Sequence, residues 1–364
     1  MKTGKFAFCI HPIELKDIER KYGFLRYVPK KAVYQLTKRI PPMEVSKITG
    51  IASNYGSAEG WFVGVPLVTD QIMTLPEEFV IHKIIQAGKK AEALGAKVFG
   101  LGAFTSVVGD GGITIRKHLK IPVTTGNSYT VAAAIEAVKE AAMHMGKDLK
   151  LCNAAVVGAT GSIGRICALL LAPEVNKITL AAQDVKGLET VAEEILQRGK
   201  GNAEIETTLE KSLKKADIVI TVSSAVDAII QPEYLKTGAI VCDVARPRDV
   251  SREVEKKRKD ILVIEGGVIE VPGDVDFGFD FGFPPGLSYA CMAETMILAL
   301  ENKYEDFSIG KKLSIEKVEE IAQLARKHGF KLAGMRSFEK VVKKEYIEGI
   351  KENIKKVAYM EMDY

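Results

Sequence analysis

Five apolar runs separated by turns and helix-like stretches fill residues 151–265, and they constrain the fold more than any other feature. "NAAVVGATGSIGRICALLL" (153–171) reads as a buried strand, a glycine turn and a helix. "KITLAAQ" (177–183) is a second strand, followed by a helix from about Val185 that stops at Gly199. "KKADIVITVSSA" (214–225), "GAIVCDVARP" (238–247) and "DILVIEGG" (260–267) supply three more strands. A strand that is apolar along its whole length needs cover on both faces, and alternation with helices provides it by sandwiching a parallel sheet. The expected fold is α/β: a doubly wound parallel-sheet (Rossmann) domain, with a second α/β substrate domain completed by C-terminal helices.

The first strand runs into "VVGATGSIG", which sets Gly158, Gly161 and Gly164 in a GxxGxxG pattern between strand and helix. Such a loop allows a tight turn, brings backbone amides close to a pyrophosphate, and aims a helix N-terminus at its charge. Ala159, Thr160, Ser162 and Ile163 belong to the same expected cradle, and Ser223 joins the expected cofactor set. The plain alternative is a structural turn. After the second strand, Gln183, Asp184 and Lys186 are the candidates for the adenosine ribose. An acid there suits a 2′-hydroxyl and NAD, whereas a lysine pairs with a 2′-phosphate.

Residues 1–127 are mixed, with a capping box from Thr74 to Glu77 opening a helix that ends at Gly95. "SYTVAAAIEAVKEAAMHMG" is a long helix that Asn127 or Ser128 can cap, and 314–330 is an amphipathic helix stopped by Gly329. The expected division is 1–127 as substrate domain, 128–284 as NAD(P)-binding domain, and 285–364 as C-terminal helices packing on the substrate domain. Of 364 residues, 47% are hydrophobic and 27% charged, the composition of a globular protein of about two domains. Five scattered cysteines without CxxC and five histidines without HxxxH fit neither a disulfide framework nor a metal site. No signal segment or membrane span is evident, so a cytoplasmic protein is expected. A net charge of +4 points to no nucleic acid. The basic stretches 16–39 and 336–356 read as solvated faces, or as a dock for an acidic carrier or phosphate-bearing ligand.

Six strings then narrow the reading. "LGAFTSVV" (101–108), "TTGNSYT" (124–130), "AVVGATGSIG" (155–164), "EGGVIEVPGDVDF" (265–277), "YACMAETMILALE" (289–301) and "SIEKVEEIAQLARKHGF" (314–330) resemble, in order and approximate spacing, those of long-chain acyl-ACP reductases. The resemblance implies a fatty-aldehyde-forming enzyme whose cysteine, at Cys291 here, accepts the acyl group as a thioester before NADPH reduces it. NADH stays open as the donor, because Ala182 and Gln183 stand where that family has an arginine. Acyl carrier protein or acyl-CoA would be the partner, with an aldehyde-consuming enzyme downstream; homo-oligomer formation is left open. "ADIVITVSSA" and "CDVARPRDV" also resemble the nucleotide domain of glutamyl-tRNA reductase, whose N-terminal S-T-C-N-R string is absent.

Thioester reduction needs a nucleophilic sulfur, a hydride donor and donors for the developing oxyanion. If Ser288 caps the helix, Cys291 lies in its first turn, where backbone N–H groups and the helix dipole favour a thiolate. The plain alternative is a small apolar residue in a helix that is apolar nearly all round. Glu294, one turn on, is a candidate proton donor or a helix-surface acid. Asp243 ends a strand and either faces the nicotinamide or caps a loop. Phe104, Thr105, Ser106, Thr125 and Asn127 are the candidate substrate residues. Two competing functions are a non-covalent dehydrogenase of shikimate or amino-acid type and a non-catalytic nucleotide-binding regulator.

Overall fold

The computed structural model describes residues 3–362 apart from 22, 200 and 226. The chain forms two compact units. The first comprises Met1–Tyr129, Glu270–Lys312 and Glu319–Lys331; the second comprises Thr130–Ile269, Leu313–Val318 and Leu332–Tyr364. No helix among the described residues is long and apolar enough to cross a membrane.

The first unit opens with β1 (Gly4–Ile10), a helical excursion of α1 (Leu15–Lys21) and α2 (Lys30–Arg39), and the hairpin β2 (Met43–Ser53) and β3 (Gly56–Gly64). There follow α3 (Thr69–Thr74), α4 (Glu77–Leu94), β4 (Phe99–Gly100), a 3-10 turn at Ala103–Ser106, α5 (Ile113–Lys117) and β5 (Val123–Thr124). Helix α6 (Asn127–Met145) starts here and continues into the second unit.

The second unit alternates β6 (Asn153–Val157), α7 (Ser162–Leu171), β7 (Lys177–Ala181), α8 (Val185–Gln197), β8 (Ala203–Glu206), α9 (Leu209–Leu213), β9 (Ile218–Thr221), β10 (Ile240–Asp243), α10 (Arg252–Lys257) and β11 (Leu262–Glu265). Its sheet is wholly parallel, in the order β11-β10-β9-β6-β7-β8. That is a doubly wound Rossmann sheet, whose order reverses between β6 and β9. The core strands are fully buried, as their unbroken apolar runs demand. Edge strand β8, "AEIE", carries two glutamates and is only partly buried, so no apolar run announces it.

The chain then returns to the first unit with β12 (Gly273–Asp276) and α11 (Ala290–Leu300); α12 (Ile315–His328) is shared between the two units, and α13 (Lys344–Met362) belongs to the second, where Ile347 and Ile350 join its core. The first unit's sheet runs β12-β2-β3-β1-β4-β5, with β3, β1, β4 and β5 mutually parallel. Ala7 and Cys9 of β1 pack with Val80, Ile84, Ala87 and Ala91 of α4 on one face. Phe8 points the other way, toward α11, as strand alternation requires.

Two capping expectations are corrected. Thr74 ends α3 and bonds back to the Asp70 carbonyl at 2.7 Å, while Pro76, without a side-chain bond, precedes α4. Tyr289, not Ser288, is the N-cap of α11; Ser288 Oγ donates to the Tyr289 carbonyl at 3.3 Å instead.

Gly164 shows why the glycine loop tolerates so little. A Cβ there would lie 2.2 Å from the Gly158 carbonyl oxygen, which holds α7 against the end of β6. Gly164→Ala is expected to destabilise the protein by about 1–3 kcal/mol through overpacking. Gly199→Ala, at φ +65 with open space around it, should cost about 1–2 kcal/mol because an alanine there must hold a left-handed backbone. Urea unfolding of the two variants checks the order.

Candidate functional site

The carboxyl ends of parallel strands β1, β4 and β5 form one edge of the first unit, the edge where α/β sheets present ligand sites. Cys291 sits there, at the second position of α11. Ten of the eleven residues of this helix are buried, and Cys291 is the exception. Two backbone turns close around it. Gly126, at φ +74 just after β5, comes so near that a Cβ would lie 2.3 Å from Cys291 Cα. A Cβ on Gly102, just after β4, would stand 3.7 Å from the sulfur. The strings around residues 102, 126 and 291 therefore meet at one thiol. Sequence reading missed both glycines as site residues, although each lies at a strand-to-turn junction.

The remaining cysteines are buried. Burial pushes the Cys9 and Cys167 thiols up to about 12, and it also raises Cys152 and Cys242. Thiolate chemistry is disfavoured at all four.

Glu294 is not a helix-surface acid. It is fully buried, and its carboxylate accepts bonds from Thr124 Oγ1 and, at 2.8 Å, from the Tyr129 amide. Desolvation raises its pKa, against the lowering effect of these donors. The carboxylate ties the turn after β5 to α11. Thr125 is buried with its hydroxyl donated to the Ser308 carbonyl. Asn127 is half-buried at the start of α6. Phe104 and Thr105 are buried in the turn after β4, and Thr105 Oγ1 donates to the Gly102 carbonyl at 2.7 Å. Ser106 Oγ closes the same turn on the Ala103 carbonyl at 2.7 Å. His11, directly after β1, was passed over in the sequence; its signal is an apolar strand ending in His-Pro. Its ring meets Phe104 edge-on with centroids 6.2 Å apart.

In the second unit, Gly158 takes φ +80, and a Cβ on it would lie 2.6 Å from the Val222 carbonyl. Gly161 is the N-cap of α7, and no side chain caps that helix. Gly164 follows in the first turn. These features leave a side-chain-free cradle at a helix N-terminus, which fits the pyrophosphate of a dinucleotide. Ala159 is fully buried beneath the loop, while Thr160, Ser162 and Ile163 are half-buried. Ser223 stands beside Gly158 and is held by Asp249, which accepts from its amide at 2.9 Å and its hydroxyl at 2.5 Å. Gln183, Asp184 and Lys186 are exposed past the end of β7. Asp184 caps α8, accepting from the Gly187 amide at 3.1 Å. Asp243 takes the loop-capping arrangement: its carboxylate accepts from the amides of Ala245 at 3.1 Å and Val250 at 3.1 Å. Burial raises it to about 6.

Two outcomes follow from this geometry. Brief treatment of the native protein with iodoacetamide should alkylate Cys291 first, with the other four labelled only after unfolding; peptide mapping reads this directly. Burial also lowers His11 from 6.5 to about 4. The folded protein thus keeps this imidazole neutral where the unfolded chain takes up a proton. Its contribution is complete above pH ~6.5 and is lost as pH falls toward ~4, on the order of 3 kcal/mol. Unfolding free energies at pH 7 and 4.5 should differ less in His11→Leu than in the native chain.

Comparison with known proteins bears on both units. A family model described as shikimate/quinate 5-dehydrogenase matches residues 139–264. The chain is 28% identical over 360 residues to the aminotransferase PigE of a Serratia species, covering 95% of this chain but 42% of that protein. It is 27% identical over 332 residues to the long-chain acyl-[acyl-carrier-protein] reductase of Synechococcus elongatus, covering 87% of this chain and 94% of the relative. Among solved structures, L-tryptophan dehydrogenase from Nostoc punctiforme aligns over 97% of this chain and 88% of its own, with 14% identity and a TM-score of 0.38. The family match falls on the parallel sheet and the Gly158 cradle, and together they identify this part of the chain as a Rossmann domain of the dinucleotide-binding type.

Proposed function

We propose that the protein reduces a fatty acyl thioester, carried on acyl carrier protein or coenzyme A, to a fatty aldehyde through an acyl-enzyme on Cys291. The observation that carries this reading is the selective exposure of one thiol. Cys291 is the only residue of α11, and the only one of five cysteines, that is not buried. The similarity to the Synechococcus reductase across 87% of the chain supports the same reading.

In the first step the Cys291 sulfur attacks the acyl carbonyl carbon. The bond to the carrier sulfur breaks, and the carrier thiol leaves with the proton given up by Cys291. Bound NADPH, or NADH in its place, supplies the hydride that the thioester carbon needs to become an aldehyde. As the carbon–sulfur bond then breaks, Cys291 recovers a proton from solvent, so one hydride and one proton are consumed per aldehyde. The first-turn amides of α11 face the developing oxyanion, and the dipole of the helix favours the anionic sulfur. Gly102 and Gly126 keep side chains away from the attacking atom. Glu294 holds the turn after β5 in place and is assigned that role rather than proton donation. Lys186, exposed past β7, is the residue assigned to a cofactor 2′-phosphate, and Gln183 lies beside it.

A non-covalent dehydrogenase is the second reading, favoured by the shikimate/quinate match over residues 139–264, which spans the nucleotide sheet. Intact mass after mixing with palmitoyl-ACP or palmitoyl-CoA, without reductant, separates the two. The thioester reading expects a palmitoyl adduct on Cys291 that disappears on adding NADPH as hexadecanal forms. It also expects Cys291→Ser to lose at least ~100-fold in turnover, since the acyl-accepting nucleophile is gone. Reduction of a polar substrate that survives Cys291→Ser, with no adduct, would favour the second.

A further inference from the structure

Among the described residues, three buried side-chain polar atoms lack a hydrogen-bond partner: His11 Nε2, Thr69 Oγ1 and Arg336 Nε. Folded proteins leave few such atoms, and each calls for a ligand, a water or a function. Two of the three lie on adjoining segments. His11 follows β1, and Thr69 follows the parallel neighbour β3; the Thr69 amide bonds the Ile13 carbonyl at 3.4 Å, two residues from His11. Helix α3, which begins at Thr69, packs on the Ala103–Ser106 turn. Phe104 of that turn meets the His11 ring, and Gly102 at its start lies against the Cys291 sulfur.

The hydrogen-bonding character of the pair is defined. His11 Nδ1 lies 3.0 Å from the Pro12 carbonyl, which can only accept, so Nδ1 carries the proton and Nε2 is left as an acceptor. Thr69 Oγ1 offers a hydroxyl donor. Burial keeps the imidazole neutral near pH 7. One desolvated acceptor and one desolvated donor on adjoining segments offer the complement of a secondary amide. An acyl chain has no atom to satisfy either group, and the thioester carbonyl belongs at Cys291. The first group beyond the thioester sulfur that offers both an N–H and a C=O is the amide of the pantetheine arm, common to acyl carrier protein and coenzyme A.

We infer that His11 and Thr69 form a subsite for this amide, an inference that rests on the thioester reading above. The N–H would donate to Nε2 and the carbonyl would accept from Oγ1, setting the arm so that its sulfur reaches Cys291. Ala103, at the head of the intervening turn, holds φ +48, a conformation rarely taken by a residue with a side chain. Movement of the turn as the arm enters would relieve that conformation.

The test compares decanoyl-N-acetylcysteamine, which carries the amide, with S-pentyl decanethioate, which does not. The readout is the rate of decanoyl adduct formation on Cys291 by intact mass, for the native chain, Thr69→Val and His11→Leu. The native chain should prefer the amide donor by about tenfold or more, because its absence leaves the site's polar groups unpaired. The preference should fall to near unity in both variants. Thr69→Val removes an unsatisfied hydroxyl at constant shape and should melt no lower than the native chain, which keeps the test open if His11→Leu folds poorly. Equal rates with both donors in the native chain, or a preference that survives in both variants, would overturn the subsite while leaving the acyl-enzyme intact. Absence of any adduct with either donor would instead defeat the thioester reading itself.

Discussion

Helix α11 is pressed onto the first unit's sheet along a track of three glycines, and the position of Cys291 depends on it. A Cβ on Gly4 would lie 1.9 Å from the Ala299 carbonyl, one on Gly100 would lie 2.1 Å from Thr295 Oγ1, and one on Gly126 would lie 2.3 Å from Cys291 Cα. Residues 291, 295 and 299 are four apart and share one helix face. Each meets a glycine from β1, β4 or the turn after β5. Side chains at those three positions would hold the helix off the sheet and move the thiol away from the strand ends. With the glycines, backbone meets backbone at Gly4 and Gly126 and the Thr295 hydroxyl fits against Gly100, so the first turn of the helix is set at the sheet edge.

Glu294 supplies the complementary fastening. Burying a carboxylate without partners is costly, so its presence in an apolar helix needs donors close by. Thr124 Oγ1 and the Tyr129 amide provide them, and both lie around Gly126. The acid thus binds the turn that carries the third glycine of the track. A chemically active look in the sequence and a structural role in the fold are reconciled here: the residue shapes the site through the backbone it holds.

Much of this was legible beforehand. The Rossmann unit announced itself because each central strand is apolar throughout, and Gly158, Gly161 and Gly164 sit where β6 passes into α7. The same rule hid β8, whose "AEIE" is half-solvated at the sheet edge. Caps were read less well: Thr74 and Ser288 are good capping types, but their hydroxyls bond other carbonyls and the helices begin after Pro76 and Tyr289. The grouping of His11, Thr69 and Phe104 was not legible at all. Those residues come from three segments, and only the parallel register of β1 and β3 and the turn after β4 bring them to one edge.

Among the five cysteines, exposure is decided by surroundings rather than by local sequence. Cys167 and Cys242 stand in apolar runs of the second unit, and Cys9 stands in a strand of the first; burial makes an anion at any of them expensive. Cys291 also stands in an apolar run, with Met292, Ala293 and Ala290 beside it, and by pattern it belongs with the others. What separates it is that α11 ends at the edge of its sheet instead of within it. The residue just inside the helix N-terminus therefore meets solvent, while every later residue of that helix meets packed protein. A helix can be apolar almost all round and still leave one thiol unburied, when that thiol lies in the first turn and the backbone beneath it is glycine.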